Sequence, residues 1–185
     1  YVAVAGIPEM DRLHVLHACL AALEMLEASA KIRGERERLR LPFFELRIGL
    51  HTGSLIAGVV GRQRFTYDIW GDAVNVAALM ESNGEPGRIN VSEQVYQHVK
   101  QYFEFAGRGT VEVKNKAPLG MYFLERLKPD YAADTPGLRP SHRRDGAPVH
   151  AEFLTRRIQW RGQSVMAACF VEISKADPAS PRYIQ

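Results

Sequence analysis

Cysteine is scarce in this chain of 185 residues, which holds only Cys19 and Cys169. They stand far apart, and neither belongs to a Cys-x-x-Cys pair, so the sequence indicates neither a zinc site nor a disulfide framework. A reducing compartment is the simplest setting for such a chain. We therefore expect a cytoplasmic location, either for the whole protein or as the cytosolic part of a larger one.

Long apolar runs and a strong net charge are also lacking. No run approaches the roughly 18 apolar residues that a membrane span needs, and no signal peptide is recognisable. The net charge of +3 is too small to predict nucleic-acid binding, although it suits a site that receives a nucleoside triphosphate. The chain opens without methionine on an apolar, strand-like run, so we expect it to begin in the middle of a domain.

The sequence does carry alternating strand and helix patterns, in a composition of 46% hydrophobic and 24% charged residues that can bury a core. Helices are predicted to open at residues 9–11, 71–72 and 92–93. Strands are predicted at residues 2–5, 43–51, 55–60, 65–70, 89–91, 103–113 and 121–127. We expect 43–51 and 55–60 to form a hairpin. The order predicts an α+β sandwich with an antiparallel sheet.

Two further patterns bear on packing and on domain organisation. On the first helix, the leucines at 13, 16, 20 and 23 recur at helical spacing and are predicted to pack in the core. After residue 127 the chain changes character. Residues 128–146 are rich in proline and charge and are predicted to be a linker. Residues 147–160 and 161–174 are predicted to form two strands around a turn, and 175–185 a tail.

The segment 65–77 contains the main candidate functional residues. It predicts a strand that delivers Asp68 to one end, a glycine turn, and a helix that presents Asn75 near its start. A carboxylate accepts a hydrogen bond from an exocyclic amine, and an asparagine amide can hold a ribose oxygen. A structural interpretation stands beside this one, in which Asp68 pairs with a neighbouring arginine and Asn75 belongs to the start of the helix.

A set of motifs in fixed order makes the functional interpretation specific. Leu46–Gly53, Ile56–Gly61, Tyr67–Ala77 and Met80–Ser82 resemble consecutive blocks of class III adenylyl and guanylyl cyclases, and Gly107–Gly109, Val113–Lys116 and Met121–Leu124 resemble the closing blocks. The resemblance covers residues 1–127. It implies the ferredoxin-like α+β sandwich of the class III cyclases with its N-terminal part missing. From the pattern of the later residues, we expect a small β appendage to follow it.

In that family two catalytic domains pair head to tail, and ATP is converted to 3′,5′-cyclic AMP and pyrophosphate at their interface for signal transduction. The resemblance implies that Asn75 positions the ribose and that Asp68 reads the adenine amino group, as in adenylate cyclases. Lys114 or Lys116 matches the lysine near the phosphates, and the sequence does not decide between them. The implied partners are ATP and a second cyclase domain, in a homodimer or a heterodimer, and the implied cofactor is Mg²⁺ or Mn²⁺.

Two departures from the family pattern argue against full activity. Leu79 stands where the family has an arginine that stabilises the transition state, and loss of such a donor costs on the order of 10² to 10³ in rate. The two metal-binding aspartates of the family lie before a block like the one at residues 1–6, so we expect no metal ligands in this chain. The alternatives are a pseudo-cyclase, which would bind nucleotide or a partner domain without chemistry, and a truncated product of a longer gene.

Three other features are less specific. Arg62 and Arg64 lie in a loop that the family uses in dimer contacts, although a solvated loop explains them as well. The histidines at positions 14, 17, 51 and 98 show no ligand spacing and are expected to be structural. Residues 142–152, 156–162 and 167–173 are similar to the last strands of a PAS sensor domain. A two-stranded appendage is the alternative, and neither implies a cofactor.

Overall fold

The computed structural model describes residues 1–7, 11–61, 65–113, 117–133, 137 and 167–176. Most of the predicted linker and tail, and the first strand of the predicted C-terminal hairpin, lie outside these ranges. The elements are β1 (Val2–Ala5), α1 (His14–Arg38), β2 (Phe43–Thr52), β3 (Ile56–Val60), β4 (Thr66–Trp70), α2 (Asp72–Ser82), β5 (Ile89–Ser92), α3 (Glu93–Val99), β6 (Phe103–Val111), β7 (Leu119–Leu127) and β8 (Ala167–Ala176).

Six strands form one mixed sheet in the order β1-β8-β2-β5-β7-β6, and β3 and β4 form a separate antiparallel pair. Strand β5 runs parallel to β2, whereas the other neighbouring strands of the sheet are antiparallel. The predicted α+β class is confirmed, with one parallel pair in a sheet that the sequence pattern predicted to be antiparallel.

Helices α1 and α3 cover one face of the sheet. Leu20 and Leu23 of α1 are buried in a cluster with Ile48 and Leu50 of β2, and Leu16 packs against its edge. The predicted core role of the leucine stripe is therefore confirmed for these three positions. Fully burying one such side chain contributes about 1.5–3 kcal/mol.

Helix α2 covers the opposite face, because side chains alternate along a strand and Gly49 lies between Ile48 and Leu50. A Cβ on Gly49 would lie 2.1 Å from the backbone nitrogen of Glu81 and 2.6 Å from the carbonyl oxygen of Ala77. The glycine thus permits direct contact between the helix and strand backbones. Arg47 of β2 reinforces this contact through an ion pair with Glu81, with Nε 2.5 Å from Oε1.

The predicted hairpin of residues 43–51 and 55–60 is wrong. Strand β3 pairs with β4, from Ile56 opposite Trp70 to Val60 opposite Thr66, and not with β2. The physical reason is that both edges of β2 are already occupied, by β8 on one side and β5 on the other. The turn after β2 therefore leads out of the main sheet.

The start of α1 differs from the prediction, and its end lies well beyond the leucine stripe. The charged stretch 31–38 is helical, since α1 continues to Arg38 and Lys31 pairs with Glu27 one turn earlier. At the other end, Asp11 does not open the helix but precedes it. Its Oδ1 accepts the backbone N–H of Leu13 at 2.8 Å, which satisfies one donor at the helix start.

Ser92 occupies the N-cap position of α3 as predicted, but its side chain makes no capping hydrogen bond. Its Oγ lies 2.8 Å from Nδ1 of His51, inside the protein. This contact also gives His51 a structural partner, consistent with the structural role expected from its lack of ligand spacing.

Strand β8 overlaps the second strand of the predicted C-terminal hairpin, but it begins at residue 167 and ends at 176. It lies between β1 and β2 in the main sheet. Its predicted partner, 147–160, lies outside the described residues, so the hairpin and its PAS interpretation stay predictions. Within the described part of the chain, no helix has the length and apolar character needed to cross a membrane.

Candidate functional site

The candidate site is built on the junction between β4 and α2. Strand β4 ends at Trp70 and α2 begins at Asp72, so Gly71 alone connects them. Its φ of +146° lies in a region that L side chains rarely adopt. A Cβ there would also come within 3.0 Å of the Cα of Leu55 and the carbonyl oxygen of Ser54. The glycine therefore allows the chain to turn close to residues 54–55, between the end of β4 and the start of α2.

Asp68 is exposed on β4 and stands directly opposite Gly58 of β3. Ile56 and Trp70, which pair with each other, lie on the same face of the hairpin because residues two apart on a strand share a face. Gly58 leaves the position beside the carboxylate free of a side chain, and a Cβ there would lie 3.6 Å from Cζ3 of Trp70. A carboxylate thus adjoins a glycine and an indole ring.

One oxygen of Asp68 has a local contact, since Oδ1 accepts the backbone N–H of Ile69 at 2.8 Å. That contact holds the carboxylate at the surface of β4. The alternative in which Asp68 pairs with a neighbouring arginine stays open, because Arg62 and Arg64 lie outside the described residues.

Asn75 is the fourth residue of α2, and it is exposed. The cap position belongs to Gly71, so Asn75 lies within the helix and its amide is not needed as an N-cap. An exposed amide on the first turn of α2 can both donate a hydrogen bond to a ligand and accept one from it.

Leu79 lies one turn after Asn75, on the same side of α2. Its side chain is half-buried and packs against the cluster of Val76, Met80 and Met121. Position 79 therefore contributes apolar packing between α2 and the sheet, and it carries no charge toward the exposed side of the helix.

Lys114 and Lys116 lie outside the described residues, but the strand ends that bracket them are described. Val111 ends β6 and pairs with Leu119, which begins β7. Both residues pack against the same cluster as Leu79. The two described strand ends that bracket the lysines therefore lie beside α2.

Gly58 and Trp70 are the site residues that sequence reasoning missed as neighbours of Asp68. The signal was available in the sequence, because an antiparallel pairing of 56–60 with 66–70 would have placed Gly58 opposite Asp68. The mistaken pairing of 43–51 with 55–60 concealed it.

No described group of three or more His, Cys, Asp or Glu side chains could hold a metal ion. The described residues therefore offer no set of side chains that would hold the Mg²⁺ or Mn²⁺ that the family resemblance implies, and Asp68 and Asn75 contribute the chemistry of polar side chains. Asp68 can accept hydrogen bonds and Asn75 can both donate and accept them.

Comparisons with known proteins show which family this chain is similar to. The family model described as the adenylate and guanylate cyclase catalytic domain matches residues 1–126. An adenylate cyclase of Mycobacterium bovis is 40% identical over 124 residues, which cover 67% of this chain and 27% of that protein. A receptor-type guanylate cyclase of Caenorhabditis elegans is 40% identical over 129 residues, which cover 67% of this chain and 12% of that protein.

Among solved structures, the chain is similar to the guanylate cyclase domain of a rhodopsin–guanylate cyclase from Catenaria anguillulae in complex with GTP. The identity is 31% and the TM-score 0.59, and the match covers 67% of this chain and 66% of that one. The chain thus spans only about a quarter or less of the two curated relatives. The predicted cyclase sandwich is confirmed, over about two thirds of the chain.

Proposed function

Because the chain belongs to the family of class III adenylate and guanylate cyclase catalytic domains, we propose that it forms the part of an ATP site that binds adenine and ribose. In the proposed reaction, ATP is converted to 3′,5′-cyclic AMP and pyrophosphate, with the ribose 3′-oxygen attacking the α-phosphorus. The observation that carries the proposal is the exposed pair of Asp68 and Asn75, presented on either side of Gly71.

The carboxylate of Asp68 favours binding of adenine over binding of guanine. The 6-amino group of adenine donates a hydrogen bond that a carboxylate accepts, whereas guanine presents a carbonyl oxygen in the same place. A site built around such a hydrogen bond rejects the analogue that cannot make it, because the polar group is left unpaired. Gly58 provides room for the flat base beside the carboxylate, and the Trp70 ring provides an apolar surface for it.

Asn75 and the lysines complete the proposed contacts. The Asn75 amide binds a ribose oxygen and holds the sugar in the orientation that attack on the α-phosphorus requires. Lys114 or Lys116 contacts the triphosphate, which is consistent with the packing of Val111 and Leu119 beside α2. These roles concern base, ribose and phosphate recognition only.

A catalytically inactive pseudo-cyclase is the second candidate, and Leu79 favours it. The side chain packs against Val76, Met80 and Met121 and has no hydrogen-bond donor to offer a phosphate oxygen. In this form the chain would bind a nucleotide or a partner domain without catalysing a reaction, and its role would be regulatory. Formation of cyclic AMP by the full-length protein separates the two candidates.

The proposed partner is a second cyclase domain, which docks against the β3–β4 hairpin. Ile56, Val59 and Val60 are 70%, 57% and 51% exposed on β3. Large apolar side chains are exposed on and beside β4 as well, since Phe65 is 76% and Trp70 42% exposed. Contiguous apolar exposure of this kind is typical of an interaction surface.

The substitution Asp68→Asn tests the base-reading role, since it keeps the shape of the side chain and replaces a carboxylate oxygen by an amide donor. We expect the preference for ATP over GTP to fall by about tenfold or more, because a hydrogen bond to a charged group contributes about 1.5–3 kcal/mol. The measurement is binding of fluorescent ATP and GTP analogues to the protein.

Asp130→Asn is the matched control, because Asp130 is also exposed but lies after β7, away from the hairpin. Its ATP/GTP preference should equal that of the wild type. An unchanged preference in Asp68→Asn would refute the base-reading role and leave the family assignment intact.

A further inference from the structure

The α1 tip (residues 31–44), which comprises the last turns of α1 and the turn into β2, is strongly basic. It contains five lysines and arginines against two acids, a net charge of +3 that equals the net charge of the whole chain. The other residues of the chain are therefore balanced in charge. The cations are Lys31, Arg33, Arg36, Arg38 and Arg40, and the acids are Glu35 and Glu37.

Exposed apolar side chains lie in the same segment. Leu39 is 68% and Leu41 43% exposed, on either side of Arg40, and Phe44 is 47% exposed near the start of β2. Basic residues at the end of a helix have a structural explanation, because cations interact favourably with the negative end of the helix dipole. That explanation does not extend to two leucines exposed around an arginine.

Hydrogen bonds hold this turn in a defined conformation. The backbone N–H of Arg40 donates to the carbonyl of Glu37 at 3.0 Å, and that of Leu41 donates to the carbonyl of Arg36 at 2.9 Å. The guanidinium of Arg36 also donates to the carbonyl of Pro42. The turn that carries the two exposed leucines is therefore fixed from both sides of Arg40.

Arg40 adopts a conformation that does not suit its residue type. Its φ is +53°, and among the described residues no other non-glycine residue has a positive φ. A helix often ends on a residue in this conformation, but that residue is usually glycine, because a Cβ makes the conformation costly. The Arg40 side chain is exposed, and no hydrogen bond or ion pair in the described part of the chain holds it. An unfavourable residue at such a position points to a function for its side chain.

We propose that the α1 tip binds the surface of a membrane that contains anionic lipids. The arginines are attracted by the negative head groups, while Leu39 and Leu41 enter the boundary between head groups and acyl chains. Nucleic acid would attract the same charges, but its phosphate backbone offers no apolar surface to the leucines. The combination of positive charge and exposed leucines therefore favours a lipid surface.

Docking through the α1 tip leaves the candidate nucleotide site accessible. The tip leads into the start of β2 at Phe43, whereas the end of β2 at Thr52 leads to residues 54–55, which lie close to Gly71. A strand of this length places its two ends roughly 30 Å apart. The proposal goes beyond the proposed nucleotide site and does not depend on it.

Co-sedimentation of the full chain with lipid vesicles tests the proposal. Vesicles of phosphatidylcholine with about one third phosphatidylserine should bind the chain at least tenfold more strongly than phosphatidylcholine alone, because basic residues are attracted to an anionic surface. Added salt should weaken this binding, because it shortens the Debye length. Equal binding to both kinds of vesicle would refute a contact based on charge. Binding to neither would refute the membrane and favour a partner protein with an acidic surface.

Arg40→Gly separates the role of the charge from that of the fold. The melting temperature should stay the same or rise, because glycine adopts a φ of +53° freely. Binding to the anionic vesicles should nevertheless fall about fivefold. Arg12→Gln is the control, because it removes the same charge at an exposed position before the other end of α1, roughly 40 Å away. Equal losses in both variants would overturn the assignment to the α1 tip.

A double substitution tests the two leucines without changing the charge. Leu39→Gln combined with Leu41→Gln should weaken binding to the anionic vesicles at least tenfold, because it removes the apolar contact with the lipid. Leu39→Met combined with Leu41→Met should bind like the wild type, since methionine is apolar and similar in volume. Both side chains are exposed, so unchanged melting temperatures should show that each variant is folded. Equal binding by the two double variants would refute insertion of the leucines.

Discussion

At the residue scale, Gly58 sets the space beside Asp68. We expect Gly58→Val to weaken ATP binding about tenfold or more, because the valine occupies the place proposed for the base. The fold should tolerate it, since a Cβ there meets Trp70 at the ordinary contact distance of 3.6 Å and valine favours strands. Titration with a fluorescent ATP analogue, with the melting temperature alongside, measures both effects.

Gly107→Val is the matched control for that change. Gly107 also lies in a strand, at a φ that other residues adopt, with open space around it. Its ATP affinity should match that of the wild type. If Gly58→Val binds ATP as well as the control does, the base does not lie against β3.

Leu79 is the second decisive position at this scale. We expect Leu79→Arg in the full-length protein, with Mg²⁺ or Mn²⁺ present, to raise cyclic AMP formation from ATP about 10²-fold. The stability cost should be only about 1 kcal/mol, because the aliphatic stem of arginine can lie along the cluster while its charge reaches water. Cyclic AMP yield and the free energy of unfolding are the two measurements.

Leu79→Gln controls for the loss of apolar packing without adding a cation, and it should not gain activity. A wild-type turnover near 10 s⁻¹, a usual enzyme value, would show that Leu79 does not impair the site. No gain in Leu79→Arg would favour the pseudo-cyclase.

The site residues differ in how far the sequence could predict them. The surface exposure of Asp68 and Asn75 follows from local rules, because a strand, a glycine turn and an amphipathic helix start are all legible in residues 65–77. The contact of Gly58 with Trp70 depends on which strands pair, and pairing is decided by the whole sheet.

At the element scale, the pair of Glu93 on α3 and Tyr122 on β7 makes stability depend on pH. The Tyr122 hydroxyl donates to Oε2 of Glu93 at 2.5 Å and Gln97 donates to Oε1. The hydrogen bond from Tyr122 is the largest cause that lowers the pKa of Glu93 below 4.5, and the same bond raises the pKa of Tyr122 above 10.0. The bond therefore favours ionised Glu93 and neutral Tyr122.

The sign of the pH dependence follows from these directions. A lowered carboxyl pKa stabilises the fold above about pH 4.5, and this stabilisation is lost as pH falls through the folded-state pKa. A raised phenol pKa stabilises it below about pH 10, and this contribution is lost as pH rises through the folded-state pKa. Tyr122→Phe should therefore cost most stability near neutral pH, on the order of 1 kcal/mol after solvent screening.

Urea unfolding at several pH values measures this cost. The difference between wild type and Tyr122→Phe should shrink below about pH 4 and above about pH 10. Tyr131→Phe, at an exposed tyrosine after β7, should show no such profile. A cost for Tyr122→Phe that stays constant across this range would mean that the ionisation of Glu93 and Tyr122 does not contribute to it.

The sequence predicted the helices and strands themselves better than it predicted which strands pair with each other. Strands 2–5, 43–51 and 89–91 and the leucine stripe of α1 were legible because burial imposes a period on the local sequence. The pairing of β3 was not, since residues 52–54 look like a hairpin turn and nothing local shows that β2 has neighbours on both edges. The position of β8 depends on a contact across more than 100 residues, from Thr52 to Ala167, which no periodicity encodes.

At the scale of the whole molecule, the exposed hairpin predicts self-association. Ile56→Lys should weaken dimer formation tenfold or more, because it places an unpaired charge in an apolar contact. Ile32→Lys is the control, since Ile32 is also largely exposed, at 56%, but lies near the end of α1. Both changes add one positive charge to a net charge of +3. Sedimentation equilibrium should therefore distinguish a specific contact from general repulsion.

The same face of the hairpin links dimerisation to ligand binding. Asp68 pairs with Gly58, and Ile56 lies on the same face because it is two residues before Gly58 on β3. If the dimer completes the nucleotide site, ATP must tighten the dimer by the factor by which dimerisation tightens ATP binding. We expect ATP to shift sedimentation of the wild type toward the dimer, but not that of Asp68→Asn. Equal effects of ATP on both proteins, or dimerisation that Ile56→Lys leaves unchanged, would separate the interface from the nucleotide site.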